Sequence, residues 1–160
     1  MITILGDTRA EYYMRKTIPS WEKRGIRVEL FDAITPEKMQ RLCDLNFSGR
    51  KQSKGNRKFT QTEKAVWYSH YLLWHKCVQL NEPVHIIEHD SYLFDELPDF
   101  SDCDIELFAL HDKNYDNKLG VIPRVVSPCA GYYITPNVAT IMINKSEKGT
   151  ISLNVDWTVH

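Results

Sequence analysis

The sequence predicts a single α/β domain with a mostly parallel central sheet and helices on both faces. Three observations predict it. Short apolar runs of strand character alternate with helix-like segments along the chain. The opening reads strand, helix, strand, which favours a parallel pair with a right-handed crossover. One run, Pro83-Val84-His85-Ile86-Ile87, ends abruptly in Glu88-His89-Asp90. Acids at a strand's carboxyl end are where an α/β protein places a divalent cation or a substrate. The 160 residues suit one domain with one core.

The elements follow in order. Residues 1–5 read as a first strand, and Glu11 to Lys23 as a helix with Tyr12, Ile18 and Trp21 as inward anchors. Gly25 breaks that helix, and Ile26-Arg27-Val28-Glu29-Leu30-Phe31 alternates as a second strand. Thr35 can cap a short helix with Pro36 at its first position. Residues 48–58 carry Arg50, Lys51, Lys54, Arg57 and Lys58 and no acid. That stretch is either a solvated surface turn or a lid that approaches phosphate.

Thr60-Gln61-Thr62-Glu63 fits a capping box and starts a helix reaching about Leu80. Helical spacing puts Ala65, Tyr68, Leu72 and His75 on one face and Glu63, Trp67, His70 and Trp74 on a neighbouring one. The strand before Glu88 comes next, then strands at Ile105–Leu110 and Ala130–Thr135. Pro136 starts the following helix.

Composition excludes several classes. The chain is 42% hydrophobic and 11% aromatic, too apolar for a disordered chain. A formal net charge of −1 gives no general pull toward nucleic acid. No run approaches the ~20 apolar residues of a membrane span, and the N-terminus lacks the basic and apolar regions of a signal peptide. Cys43, Cys77, Cys103 and Cys129 are dispersed, with no ligand-like spacing, which fits free thiols in a reducing cytosol. No Walker lysine loop, GxGxxG opening or GxSxG elbow is present.

If the extended geometry continues past Ile87, Glu88 and Asp90 share a side, and His89 points the other way. The pair is either a hard-cation site or a strand that stops in solvated charge. His70, mid-helix among aromatics, is either a hydrogen-bonded packing residue or a functional one. Asp156, in Leu153-Asn154-Val155-Asp156-Trp157, is either a general base or a terminal surface acid.

Several segments together resemble glycosyltransferase family 25, the lipooligosaccharide β-galactosyltransferase type. Phe59 to Trp74 resembles the family's "LTxGExGCxxSHxxxW" segment, with Thr60, Glu63, Ser69, His70 and Trp74 matching. Ile86-Ile87-Glu88-His89-Asp90 resembles its "Leu-Glu-Asp-Asp" motif, with His89 where the family has an acid. Ala130 to Ala139 resembles "AYxxSxxGA", and Ile4-Leu5-Gly6-Asp7-Thr8-Arg9 loosely keeps the "INLDRS" opening.

The resemblance implies a GT-A-like fold, a nucleotide-sugar donor, often UDP-linked, and Mn²⁺ or Mg²⁺ at Glu88 and Asp90. It implies inverting transfer to a glycan or other hydroxylated acceptor, with Asp156 as the base. Ile4, Gly6, Asp7 and Arg9, with Glu63 and His70 on the long helix, become the residues expected around the nucleotide sugar. No nucleic-acid partner is expected. The alternative is an inactive binding module that keeps the fold.

Overall fold

The computed structural model describes residues 1–39, 45–47, 57–93, 97, 99, 100, 102, 104–109 and 129–151, with 105–109, 129 and 130 as backbone only. Its elements are β1 (Ile2–Thr3), α1 (Thr8–Glu22), β2 (Phe31–Asp32), α2 (Pro36–Met39), α3 (Gln61–Leu80), β3 (Val84–Ile87), β4 (Ile105–Ala109), β5 (Cys129–Ile134) and α4 (Pro136–Lys148). Residues 48–56, Leu110, Asp156 and His160 lie outside the described residues.

The sheet is mixed. β1 pairs parallel with β2, while β5 pairs antiparallel with both β3 and β4. This corrects the expected mostly parallel sheet among the described strands. A parallel pair needs a crossover. The helix α1 supplies one between β1 and β2, but the sequence marks no helix between β3 and β5. An isolated parallel bridge between Ile2 and Glu88 joins the two ladders. The strand order is therefore β2-β1-β3-β5-β4.

The second strand is much shorter than the Ile26–Phe31 expected. Its register sets Ile2 opposite Phe31, and Met1 N donates to Glu29 O (2.7 Å), so the ladder takes in only the end of the expected strand. Phe31 N donates to Met1 O (2.8 Å) and Ala33 N to Thr3 O (2.6 Å). Ile26 and Val28 instead pack as half-buried apolar residues against the α1 layer.

Two core clusters cover the sheet's two faces. Met14 and Trp21 of α1 pack with Met1 and Ile87. Trp67, Tyr71 and Trp74 of α3, with Ala139 and Met142 of α4, pack against Ile2, Ile86, Tyr132 and Ile134. Adjacent residues falling in opposite clusters (Met1 and Ile2, Ile86 and Ile87) are the strand alternation at work. Tyr12 does not anchor inward. It is 55% exposed and accepts a hydrogen bond from Lys16 Nζ at its hydroxyl (2.7 Å). His75 is exposed as well, edge-on to Tyr71.

The helix ends follow local chemistry. Thr60 and Glu63 form the expected capping box of α3, and Asn81 closes it with φ +53°. Thr135 caps α4, with Pro136 in its first turn. Asp7 caps α1, which starts earlier than Glu11 because its Oδ1 accepts from Ala10 N (2.8 Å). Among the described residues, no helix is long and apolar enough to cross a membrane. Cys77 is a free, buried thiol, and burial pushes its pKa up to about 11.

Gly131 lets β5 approach β3. A Cβ there would stand 2.6 Å from Ile86 O and 2.8 Å from Ile87 Cγ2. Gly131→Ala is expected to destabilise the fold by about 1–3 kcal/mol, as overpacking does. Urea unfolding of the two proteins measures it; an unchanged midpoint would refute the close approach.

Candidate active site at the sheet's carboxyl edge

The site is assembled by the chain reversals after β1 and β3. Past β1, Ile4 and Leu5 leave the core and are 44% and 52% exposed. Asp7 N donates to Ile4 O (3.2 Å), closing a turn in which Gly6 has φ +82°. Only glycine takes that conformation cheaply. Leu5 N donates to Asp32 Oδ1 (3.3 Å) at the end of β2, and Asp32 pairs with Lys38 (2.6 Å). The hydrogen bond from Lys38 holds the Asp32 carboxyl below its usual range.

Past β3, the chain does not stay extended. Ser91 N donates to Glu88 O (3.0 Å), and Glu88 N donates to Ser91 Oγ (3.2 Å). The segment turns at His89-Asp90, so strand alternation does not set the relation of the two acids as expected. Alternation does hold up to Glu88, which puts it on the α3 face with Ile86. The turn is tied to α1: Trp21 Nε1 donates to Ser91 O (2.7 Å), and Leu93 N to Ser20 Oγ (3.0 Å).

The parallel Ile2–Glu88 bridge brings these two reversals to one edge. Strand order also reverses there, with β2 on one side of β1 and β3 on the other. Open α/β sheets bind ligands at such a switch point, outside the strands' carboxyl ends. Glu88 and His89 are half-buried and Asp90 is exposed. Among the described residues, the Asp90 carboxylate makes no hydrogen bond or ion pair, and no group of three or more His, Cys, Asp or Glu side chains could hold a metal. Carboxylate oxygens are the donors a hard cation takes alongside phosphate and water.

The other expected residues are distributed. Asp7 uses its carboxylate as the α1 cap. The exposed Arg9 lies over the Tyr13 ring, 5.9 Å from its centroid. Glu63 accepts from Arg57 through both carboxylate oxygens, one bond at 2.8 Å, and from Thr60 N (2.9 Å). The Arg57 hydrogen bond pulls its pKa down to about 2. Arg57 is thus held at the start of α3, apart from any lid role for the basic loop.

His70 is buried. Its Nδ1 meets Tyr132 Oη (2.8 Å), which also accepts from Trp74 Nε1 (2.8 Å). Its Nε2 and Trp67 Nε1 are buried without a hydrogen-bond partner among the described residues. Beside it, Ser69 Oγ accepts from Ile34 N (2.9 Å) and donates to Ala65 O (3.0 Å). A cavity of about 480 Å³ lies between α2, Phe47 and the first turns of α3, lined in part by Lys64 and Tyr68. None of the expected site residues among the described ones lines it.

The description "Glycosyltransferase family 25 (LPS biosynthesis protein)" matches residues 10–125. The chain belongs to glycosyltransferase family 25. The match runs from α1 through β4 and takes in the acid-bearing end of β3, while β1 and the turn after it precede the matched residues. Membership makes the protein a glycosyltransferase, with a sugar donor and an acceptor. A comparison with curated proteins returns no match.

Sequence reasoning missed Asp32 and Tyr13. Asp32 ends an apolar run as Asp90 nearly does, so the same signal was available. Tyr13 had none, because its role depends on which helix face meets His89.

His70 makes a pH prediction. Burial lowers its pKa to about 3 in the folded state, against about 6.5 unfolded. The unfolded chain then binds the extra proton between those values, so this stability is present above pH 6.5 and lost as pH falls toward 3. From pH 7 to 5 the loss is about 2 kcal/mol. In His70→Asn, which keeps a hydrogen-bonding group for Tyr132, urea unfolding at the two pH values should show a loss smaller by about that amount. Equal losses would show His70 is not held neutral.

Proposed function

We propose that this family 25 glycosyltransferase transfers a hexose from a UDP-linked donor to a hydroxyl of a glycan acceptor, with inversion and with a divalent metal. The observation that carries the reading is the Ile2–Glu88 bridge. It sets Glu88 beside the β1–α1 turn, at the switch point of the sheet, which supports reading the fold as GT-A-like.

Glu88 and Asp90 would hold Mn²⁺ or Mg²⁺, with Asp90 the more accessible ligand. A metal bound there offsets the charge that grows on the departing diphosphate. The backbone of Ile4–Asp7, with Arg9, lines the nucleotide side. Glu63 and His70 act from α3, Glu63 by fixing the helix start and His70 by fixing Tyr132. Asp156 serves as general base. It takes the acceptor hydroxyl proton while that oxygen bonds to the anomeric carbon and the bond to the diphosphate oxygen breaks.

Isothermal titration with UDP and Mn²⁺ tests the donor site. Wild-type protein should bind UDP in a metal-dependent way, and Asp90→Ala should weaken binding by about tenfold or more. Metal-independent binding, or full affinity in Asp90→Ala, sinks the metal assignment. Asp156→Asn should keep UDP affinity and lower turnover by about 10²–10⁴. UDP binding without hydrolysis or transfer across a panel of nucleotide sugars would make the chain a binding module.

A further inference from the structure

Within Glu88-His89-Asp90, the surroundings of His89 differ from those of Glu88. The Glu88 side chain belongs to the α3 face, whereas the His89 ring meets Tyr13 of α1, with centroids 6.0 Å apart and planes tilted by 57°. Tyr13 in turn lies under the Arg9 guanidinium, at 5.9 Å. Arg9 and Tyr13 are four residues apart on α1 and so occupy one stripe of it. The three side chains form a ladder from the turn after β3 to the first turn of α1.

The neighbouring pair on α1 shows what is distinctive about this ladder. Lys16 lies over Tyr12 at 4.4 Å and also hydrogen-bonds its hydroxyl, so its charge has a local partner, and Tyr12 faces solvent. Arg9 has no hydrogen bond or ion pair among the described residues, although Glu88, Asp90 and Asp32 occupy the same edge. Its planar group rests on a half-buried ring, with its donors unspent. A guanidinium held over an aromatic face keeps its N–H donors free for a bidentate oxyanion.

We propose that Arg9 binds the diphosphate of the donor and that His89 is a positioning residue, acting through Tyr13 to hold Arg9 at the carboxyl edge. The inference rests on the donor reading above, and it gives the middle position of the acid motif a role. That position faces the α1 layer, so an aromatic ring there packs against Tyr13 beneath the cation, whereas an acid would compete with the diphosphate for the Arg9 donors. Part of the diphosphate charge is then met by Arg9 itself.

The test uses inorganic pyrophosphate in the presence of a chelator, followed by phosphorus NMR, which reads the anion site apart from metal and uridine. Wild-type protein should bind it. Arg9→Ala, a change at an exposed residue, should weaken binding by about tenfold. His89→Ala should weaken it in the same direction, and His89→Phe, which keeps a ring for Tyr13, should restore it. In the Arg9→Ala background, His89→Ala should add nothing, a coupling that a general loss of stability would not produce.

The proposal is overturned if wild type does not bind pyrophosphate or if Arg9→Ala binds it fully. It is also overturned if His89→Phe is as weak as His89→Ala, or if the two alanine changes add. Failure of the donor reading looks different: this pattern with pyrophosphate would persist while UDP binding ignored both Mn²⁺ and Asp90→Ala.

Discussion

One backbone contact sets the geometry of the whole edge: the parallel bridge between Ile2 and Glu88. Without it the two-stranded and three-stranded ladders would be related through side-chain packing and the α1 contacts, with no backbone register between them. With it, the turn after β1 and the turn after β3 leave the sheet side by side. The opposite edge of β3 is fixed as tightly. Gly131 of β5 stands against Ile86 and Ile87, where even a methyl group has no room. The last residues of β3 are therefore held by backbone on both sides, and this gives Glu88 its place. A site built on strand ends is better positioned than one built on loops alone.

The long helix secures the other layer through a few polar contacts. Its start is fixed by the Thr60–Glu63 capping box and by Arg57. About two turns further on, Ser69 reaches the backbone just past β2, while His70 and Trp74 converge on the Tyr132 hydroxyl of β5. The Ser69-His70 and Trp74 positions that resemble the family segment thus tie α3 to two distant strands. Buried polar groups specify an arrangement in a way apolar packing does not, because an unmade hydrogen bond inside costs about 1–3 kcal/mol. His70 Nδ1 is committed to that scaffold, and desolvation keeps the ring neutral at physiological pH.

Much of this was legible in the sequence where the signal is local. The capping box, the span of α3, the Thr135-Pro136 start of α4 and the apolar run of β3 all follow from neighbouring residues. The acid motif and the β1–α1 segment were legible as site candidates for the same reason. What was not legible depends on pairing. Strand direction follows from a crossover only where a helix intervenes, so β1 and β2 came out parallel and the direction of β5 was open. The length of β2 depends on its register against β1, which Ile26–Leu30 alone does not encode. The reversal after Glu88 had a local signal in Asp90-Ser91, residues that favour turns, but the apolar run before it argued for continued extension. Asp156 lies outside the described residues.

The two-sidedness of a strand explains how the acid motif can carry a histidine. Consecutive residues at the end of β3 face different layers, so Glu88 answers to α3 and His89 to α1. A substitution at the middle position changes what the α1 layer sees and leaves the α3-side carboxylate where it was. The charge on the edge is correspondingly divided. Asp32 has Lys38 as its partner, while the Asp90 carboxylate and the Arg9 guanidinium have no ionic partner among the described residues. A diphosphate brings negative charge that an acid pair alone repels. On the proposed reading, carboxylates that hold a cation and the Arg9 guanidinium from the facing helix would meet that charge from two directions.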